Sequence, residues 1–228
     1  MSIRKQLKKI KIIRITYYFL RDKFSSFKKQ KNMRWFDKKS LYVMNYVQKI
    51  LADIGYDDRF YFALGTALGV FRDNKLLSRD MDLDIVLFVN SQDEICQFRE
   101  KVISKGLKWK LSFDVSSIGC VQDTFDYDGI RIDIHYAFLP DMPDAKLYAL
   151  YSLSDGVNKV LYWKISTDKV KKTNFQNMLI NLPDKTEQFL KYVYGDNWMI
   201  PDPNYIYWEN PSAIKIDLKG DINYIDRD

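Results

Sequence analysis

The stretch Tyr61–Phe88, YFALGTALGVFRDNKLLSRDMDLDIVLF, decides how the rest of the chain is read. It opens as an apolar strand, turns at Gly65-Thr66 and continues as a short helix carrying Arg72. A loop then leads to a strand introduced by Asp80, Asp82 and Asp84. On extended backbone, side chains two apart share a face, so the spacing predicts three carboxylates along one strand edge. Like charges that close repel, raise one another's pKa or share a cation. Oxygen-only ligands suit a hard cation, Mg²⁺ or Mn²⁺, and such ions serve phosphate chemistry. A solvated acidic strand end is the alternative, but the run Ile85-Val86-Leu87-Phe88 is too apolar for a strand standing in water.

On the N-terminal side, Ser40 reads as the N-cap of a helix from Leu41 to about Ile54, stopped by Gly55. Residues 31–39 read as a polar connector. Before it, Ile3, Leu7, Ile10, Ile13, Tyr17, Leu20, Phe24 and Phe27 recur in steps of three or four, the pattern of one helix face. Residues 1–39 hold fourteen Lys and Arg against Asp22 and Asp37, a charge of +12, so the net +6 leaves the remainder at −6. The expected organisation is a basic amphipathic arm over residues 1–39 and a folded domain over 40–228. Residues 1–29 suit an anionic membrane surface. Docking on the chain's own domain or pairing with a second subunit are alternatives. Nucleic acid is not expected, because no stacking platform or groove-reading motif accompanies the charge. Cys96 and Cys120 lack metal-ligand spacing and read as free thiols of a reducing compartment. No signal peptide is read, and no apolar run is long enough to cross a bilayer.

On the C-terminal side, Ser91-Gln92-Asp93-Glu94 is a capping box, opening a helix that turns Ile95, Phe98, Val102 and Ile103 inward. Strands are expected over Leu107–Phe113 and Ile118–Phe125, with a hairpin at Asp128-Gly129. The strand after that turn, Gly-Ile-Arg-Ile-Asp-Ile-His-Tyr, sets Ile130, Ile132 and Ile134 on one face and Arg131, Asp133 and His135 on the other. A carboxylate in mid-strand is costly unless something pairs with it. Strands are also expected over Leu147–Leu153 and Val160–Ser166, joined at Asp155-Gly156. A helix introduced by residues 181–184 ends at Gly195, and a mixed tail from Trp208 wraps the surface.

Gly65-Thr66 at a strand-to-helix junction offers backbone N–H groups and a hydroxyl to an anion. Gly-Thr, then D-x-D, then a third Asp on a hairpin strand is the layout of the nucleotidyltransferase fold. The expected class is therefore α+β, a mixed sheet flanked by helices, with a basic amphipathic N-terminal helix.

Three segments carry a closer resemblance. LGTALGVFRDNKLLSRDMDLDIVLF resembles the core of the LicD/fukutin family, GIRIDIHYAF resembles its later V-D-I-F strand, and LPDKTEQFLKYVYGDNWMIPDP resembles its C-terminal element. The acidic run Ser78-Arg79-Asp80-Met81-Asp82 is shorter than the usual P-W-D-D-D, and His135 stands where the family has an aromatic. The resemblance implies transfer of a phosphorylated alcohol, such as phosphocholine or ribitol phosphate, from a CDP-activated donor to a hydroxyl of a cell-surface glycan or its lipid-linked precursor. It implies Asp82, Asp84 and Asp133 as catalytic metal ligands for Mg²⁺ or Mn²⁺, Gly65 and Thr66 as the phosphate-binding turn, and Arg72 near the donor phosphates. It leaves Asp80 open, and Tyr194-Gly195-Asp196 reads as a helix end. The implied setting is the cytoplasmic face of the membrane. A nucleotidyltransferase acting on a small molecule, or a non-catalytic nucleotide- or glycan-binding module, would use the same residues.

Overall fold

Residues 11–142, 144–152 and 158–225 are described in a computed structural model, with side chains from residue 30 onward. Free of glycine and proline from Lys11 on, the chain forms one helix, α1 (Lys11–Asp53). Phe36, Val43, Met44, Val47, Ile50 and Leu51 are buried against the core at helical spacing. The expected connector is thus wrong: residues 31–39 are helical, and Ser40 is buried in mid-helix instead of capping it. Nothing in the connector breaks a helix, and Phe36 anchors it one turn before Ser40. Residues 1–10, where the amphipathic pattern begins, lie outside the described residues.

The chain then gives β1 (Phe60–Phe62), α2 (Leu64–Leu68) running into a π-turn (Gly69–Asp73), β2 (Asp82–Val89) and α3 (Gln92–Ser104). Ser91 Oγ accepts from the Glu94 N–H at 3.3 Å, as a capping box requires. The Glu94 carboxylate reaches back one residue further than expected, to the Asn90 N–H at 2.7 Å. Ile95, Phe98 and Val102 face inward, whereas Ile103 is exposed. Next come β3 (Lys108–Val115), β4 (Gly119–Tyr127) and β5 (Ile130–Phe138). The β4–β5 turn places both Asp128 (φ 52°) and Gly129 (φ 75°) in the left-handed region, the geometry that favours the Asp-Gly pair.

β6 (Lys146–Ser152) and β7 (Asn158–Lys164) pair antiparallel as expected; their Asp155-Gly156 turn lies outside the described residues. β8 (Val170–Phe175) and β9 (Met178–Pro183) form a separate hairpin, and α4 (Thr186–Tyr194) follows. The expected surface tail is instead a strand, β10 (Ile214–Tyr224), inserted between β3 and β7. Its close fit is recorded at Gly220, where a Cβ would stand 2.2 Å from Leu150 Cδ2.

The eight-stranded sheet runs β1-β2-β5-β4-β3-β10-β7-β6. β2 and β5 are parallel and every other neighbouring pair is antiparallel. The sheet curls until β6 packs on β4 and β5. One face is covered by apolar helix stripes. On that side Asp123, wholly buried on β4, accepts from Arg99 Nε at 2.6 Å, Tyr136 Oη at 2.6 Å and Trp109 Nε1 at 3.1 Å. A buried charge so fully paired holds α3, β3 and β5 in one arrangement. The other face, at the ends where β2 and β5 begin, carries the polar cluster described next.

Candidate metal centre

Parallel pairing of β2 with β5 sets Asp84 directly beside Asp133 and Asp82 beside Arg131. Side chains at Asp82, Asp84, Arg131, Asp133 and His135 therefore stand on one face. One carboxylate oxygen from each of Asp82, Asp84 and Asp133 falls within 4.8 Å of the other two. The three expected ligands, separated by about fifty residues of sequence, are brought together by this register.

Each carboxylate is held by a different device. The Gly65 N–H donates to Asp84 Oδ2 at 3.1 Å, and the Asp84 N–H donates to Thr66 Oγ1 at 2.8 Å. The Gly-Thr turn, expected to cradle an anion, here fixes Asp84 in place. Asp133 Oδ1 accepts from Thr124 Oγ1 at 2.6 Å and from Arg131 Nε at 2.9 Å, and Asp133 Oδ2 lies 2.6 Å from Arg131 Nη2. Arg131, Thr124 and their pairing with Asp133 were not read from the sequence. Alternation on β5 placed Arg131 on the right face, but gave no sign that it would fold back along its own strand.

Asp80 departs from the alternation that predicted it. β2 begins at Asp82, and Met81 has a left-handed backbone (φ 58°), so Asp80 reaches the site from the preceding loop. A Cβ added to Gly65 would stand 2.6 Å from Asp80 Oδ2 and 3.3 Å from Asp84 Oδ2. Only glycine lets these carboxylates approach the turn so closely. Leu64, just before it, is also left-handed (φ 43°). Two strained non-glycine residues thus bracket the cluster, each costing about 1–2 kcal/mol, one before Gly65 and one between Asp80 and Asp82.

The electrostatics follow from crowding. The Asp82 carboxyl is pushed well above the usual carboxylate range, first by burial, then by Asp84 and Asp133, with Arg131 opposing. Asp80 is raised by burial and by Asp84, with Arg72 opposing. Without a cation the cluster holds more negative charge than it can keep ionised. An all-oxygen donor set with excess charge fits a hard divalent ion.

The remaining expected residues lie around the rim. Arg72 donates from Nε and Nη2 to both oxygens of Asp73, at 2.8 and 2.9 Å, and from Nη1 to the Trp198 carbonyl at 3.3 Å. Its charge is felt at Asp80 and at Tyr194. Tyr194, read from the sequence as part of a helix end, has its phenol pushed well above the ordinary value by burial, then by Asp84, Tyr205, Asp80 and Asp82. It therefore belongs to the site's surroundings as well as closing α4. His135 is buried, with Nε2 3.8 Å from Asp84 Oδ1 and Nδ1 without a hydrogen-bond partner among the described residues. Compared with protein-family models and with curated proteins, the chain matches none.

Proposed function

We propose that the chain is a Mg²⁺-dependent transferase that moves a phosphorylated alcohol from a CDP-activated donor to a hydroxyl of a cell-surface glycan or its lipid-linked precursor. Its motifs resemble those of the LicD/fukutin family, and its architecture would be a nucleotidyltransferase-like one. The observation that carries the reading is the three-carboxylate cluster of Asp82, Asp84 and Asp133 on two adjacent parallel strands, within 4.8 Å of one another.

Those three residues would hold the cation. When bound there, Mg²⁺ or Mn²⁺ supplies charge neutralisation and Lewis acidity to phosphoryl oxygens. Gly65 and Thr66 keep Asp84 aimed into the cluster, Thr124 orients Asp133, and Arg131 offsets the Asp133 charge until a cation binds. Arg72, at the rim, attracts the donor phosphates. The acceptor oxygen forms its bond to the donor's distal phosphorus as the bond to CMP breaks. CMP leaves with that bridging oxygen, and the acceptor proton passes to the Asp133 carboxylate.

The test is a screen of CDP-choline, CDP-ribitol and CDP-glycerol, each with candidate glycans, for metal-dependent CMP release. The reading requires CMP release with at least one donor, lost in Asp82→Asn and Asp133→Asn while both variants stay folded. Pyrophosphate release from a nucleoside triphosphate would mark a nucleotidyltransferase instead. Donor binding without turnover by any acceptor would mark a binding module.

A further inference from the structure

The long helix leaves the body at the same end as the carboxylates. Trp35 Nε1 donates to the Asp128 carbonyl at 3.2 Å, and Lys39 Nζ donates to Asp128 Oδ2 at 2.7 Å. Asp128 lies in the turn that feeds Arg131 and Asp133. Ser78 Oγ donates to Asp37 Oδ1, pinning the loop that feeds Asp80 and Asp82 to the same turn of α1. Residues 30–35 are exposed apart from half-buried Met33, and among the α1 residues whose side chains are described Phe36 is the first that is buried. From this exposed stretch α1 continues N-terminally to Lys11, about 36 Å of helix over residues 11–34 at 1.5 Å per residue. Beside the site, Phe71, Met199 and Ile200 are 45%, 56% and 68% exposed. They group around Trp198, whose ring centroid is 5.9 Å from that of Phe71 and whose carbonyl is held by Arg72.

We propose that this end of the molecule docks on an anionic lipid bilayer. The N-terminal part of α1 lies among the head groups, and Phe71, Met199 and Ile200 enter the interface beside the carboxylates. Charge selects this occupant. The sequence of this part of α1 carries the helical spacing of Ile13, Tyr17, Leu20, Phe24 and Phe27, and the first 39 residues carry +12. Two copies packed through such helices would bring like charges together, whereas anionic head groups neutralise them. Docking this way turns the metal cluster toward the membrane, so the acceptor is membrane-borne. That last clause rests on the transferase reading; the docking does not.

The experiment uses the full chain and vesicles of phosphatidylcholine with or without phosphatidylglycerol. Co-sedimentation is expected with the anionic vesicles only, weakened by added salt. Replacing Lys11, Arg14, Arg21 and Lys23 with Gln should lower partitioning by about a hundredfold or more, given the attraction of each basic residue to an anionic surface. Met199→Ser with Ile200→Ser, two exposed changes, should lower it about tenfold. A polarity-sensitive dye on Met199→Cys in a Cys96→Ser background should report an apolar environment on vesicles. The same dye on native Cys96, exposed on α3, should not. Equal partitioning to neutral vesicles, a dye response at Cys96 but not at position 199, or a stable dimer that ignores vesicles would each overturn the proposal. Binding is read without turnover, so its failure leaves the transferase reading standing, and a failed CMP screen leaves the docking standing.

Discussion

Gly65 has no room for a side chain, because the Asp80 and Asp84 carboxylates crowd the place where a Cβ would stand. The Asp80 carboxylate sits on a loop and can swing aside, so Gly65→Ala should fold, with a melting temperature within a few degrees of the parent. Metal affinity should fall about tenfold, measured by calorimetric titration, because Asp84 is pushed off its aim. Unchanged affinity would mean that the turn does not position Asp84. Arg131 is a second informative residue. Its guanidinium is half-exposed and already neutralises Asp133. Arg131→Met removes a resident positive charge from among carboxylates, so the metal-free protein should melt lower and the rise on adding Mg²⁺ should exceed the parent's. A smaller rise would show that Arg131 helps hold the metal instead of competing with it.

At the scale of elements, what could be read in the sequence depended on whether one local signal matched one local structure. Asp128-Gly129 is a turn whose backbone demands those residues, and the hairpin that carries Asp133 was legible from it. The β8–β9 turn has the same left-handed pair but fills it with Gln176 and Asn177, so no signal was present. β10 reads as tail because its residues are mostly exposed or half-buried, and its place in the sheet is set by distant neighbours. Asp123 carries the same local signal as Asp133, a carboxylate in mid-strand, but its partner Arg99 lies 24 residues away on another element. The register that joins the D-x-D strand to Asp133 is also long-range; the three carboxylates are legible in the sequence but not their contact. For α1, charge hid a helix that runs through the supposed connector. Phe36→Ala should therefore cost about 3–5 kcal/mol in urea unfolding, as a buried core position does. Deleting residues 1–29 should leave the unfolding midpoint unchanged. A midpoint insensitive to Phe36→Ala would restore the connector.

At the scale of the whole molecule, the curled sheet puts its apolar helix-covered face and its charged face to opposite uses. The first supplies stability; the second stores negative charge. The pH dependence follows from that. Asp82 and Asp80 are raised in the folded protein, so the fold binds more protons than the unfolded chain once pH exceeds about 4. Their contribution is fully present at low pH and is lost as pH rises through the folded values. The metal-free protein should lose thermal stability between pH 5 and pH 8, read by calorimetry at about those values, and Mg²⁺ should raise the melting temperature more at the higher pH. The opposite order would contradict the crowding of these carboxylates. The cation site is tested most directly by a calorimetric titration of Mg²⁺ or Mn²⁺ into the full chain and into Asp84→Asn at matched pH. A cation held by Asp82, Asp84 and Asp133 predicts saturable binding to the parent and a loss of about a hundredfold or more in the variant, which keeps its fold. Equal binding by both proteins, or none by the parent, would contradict it.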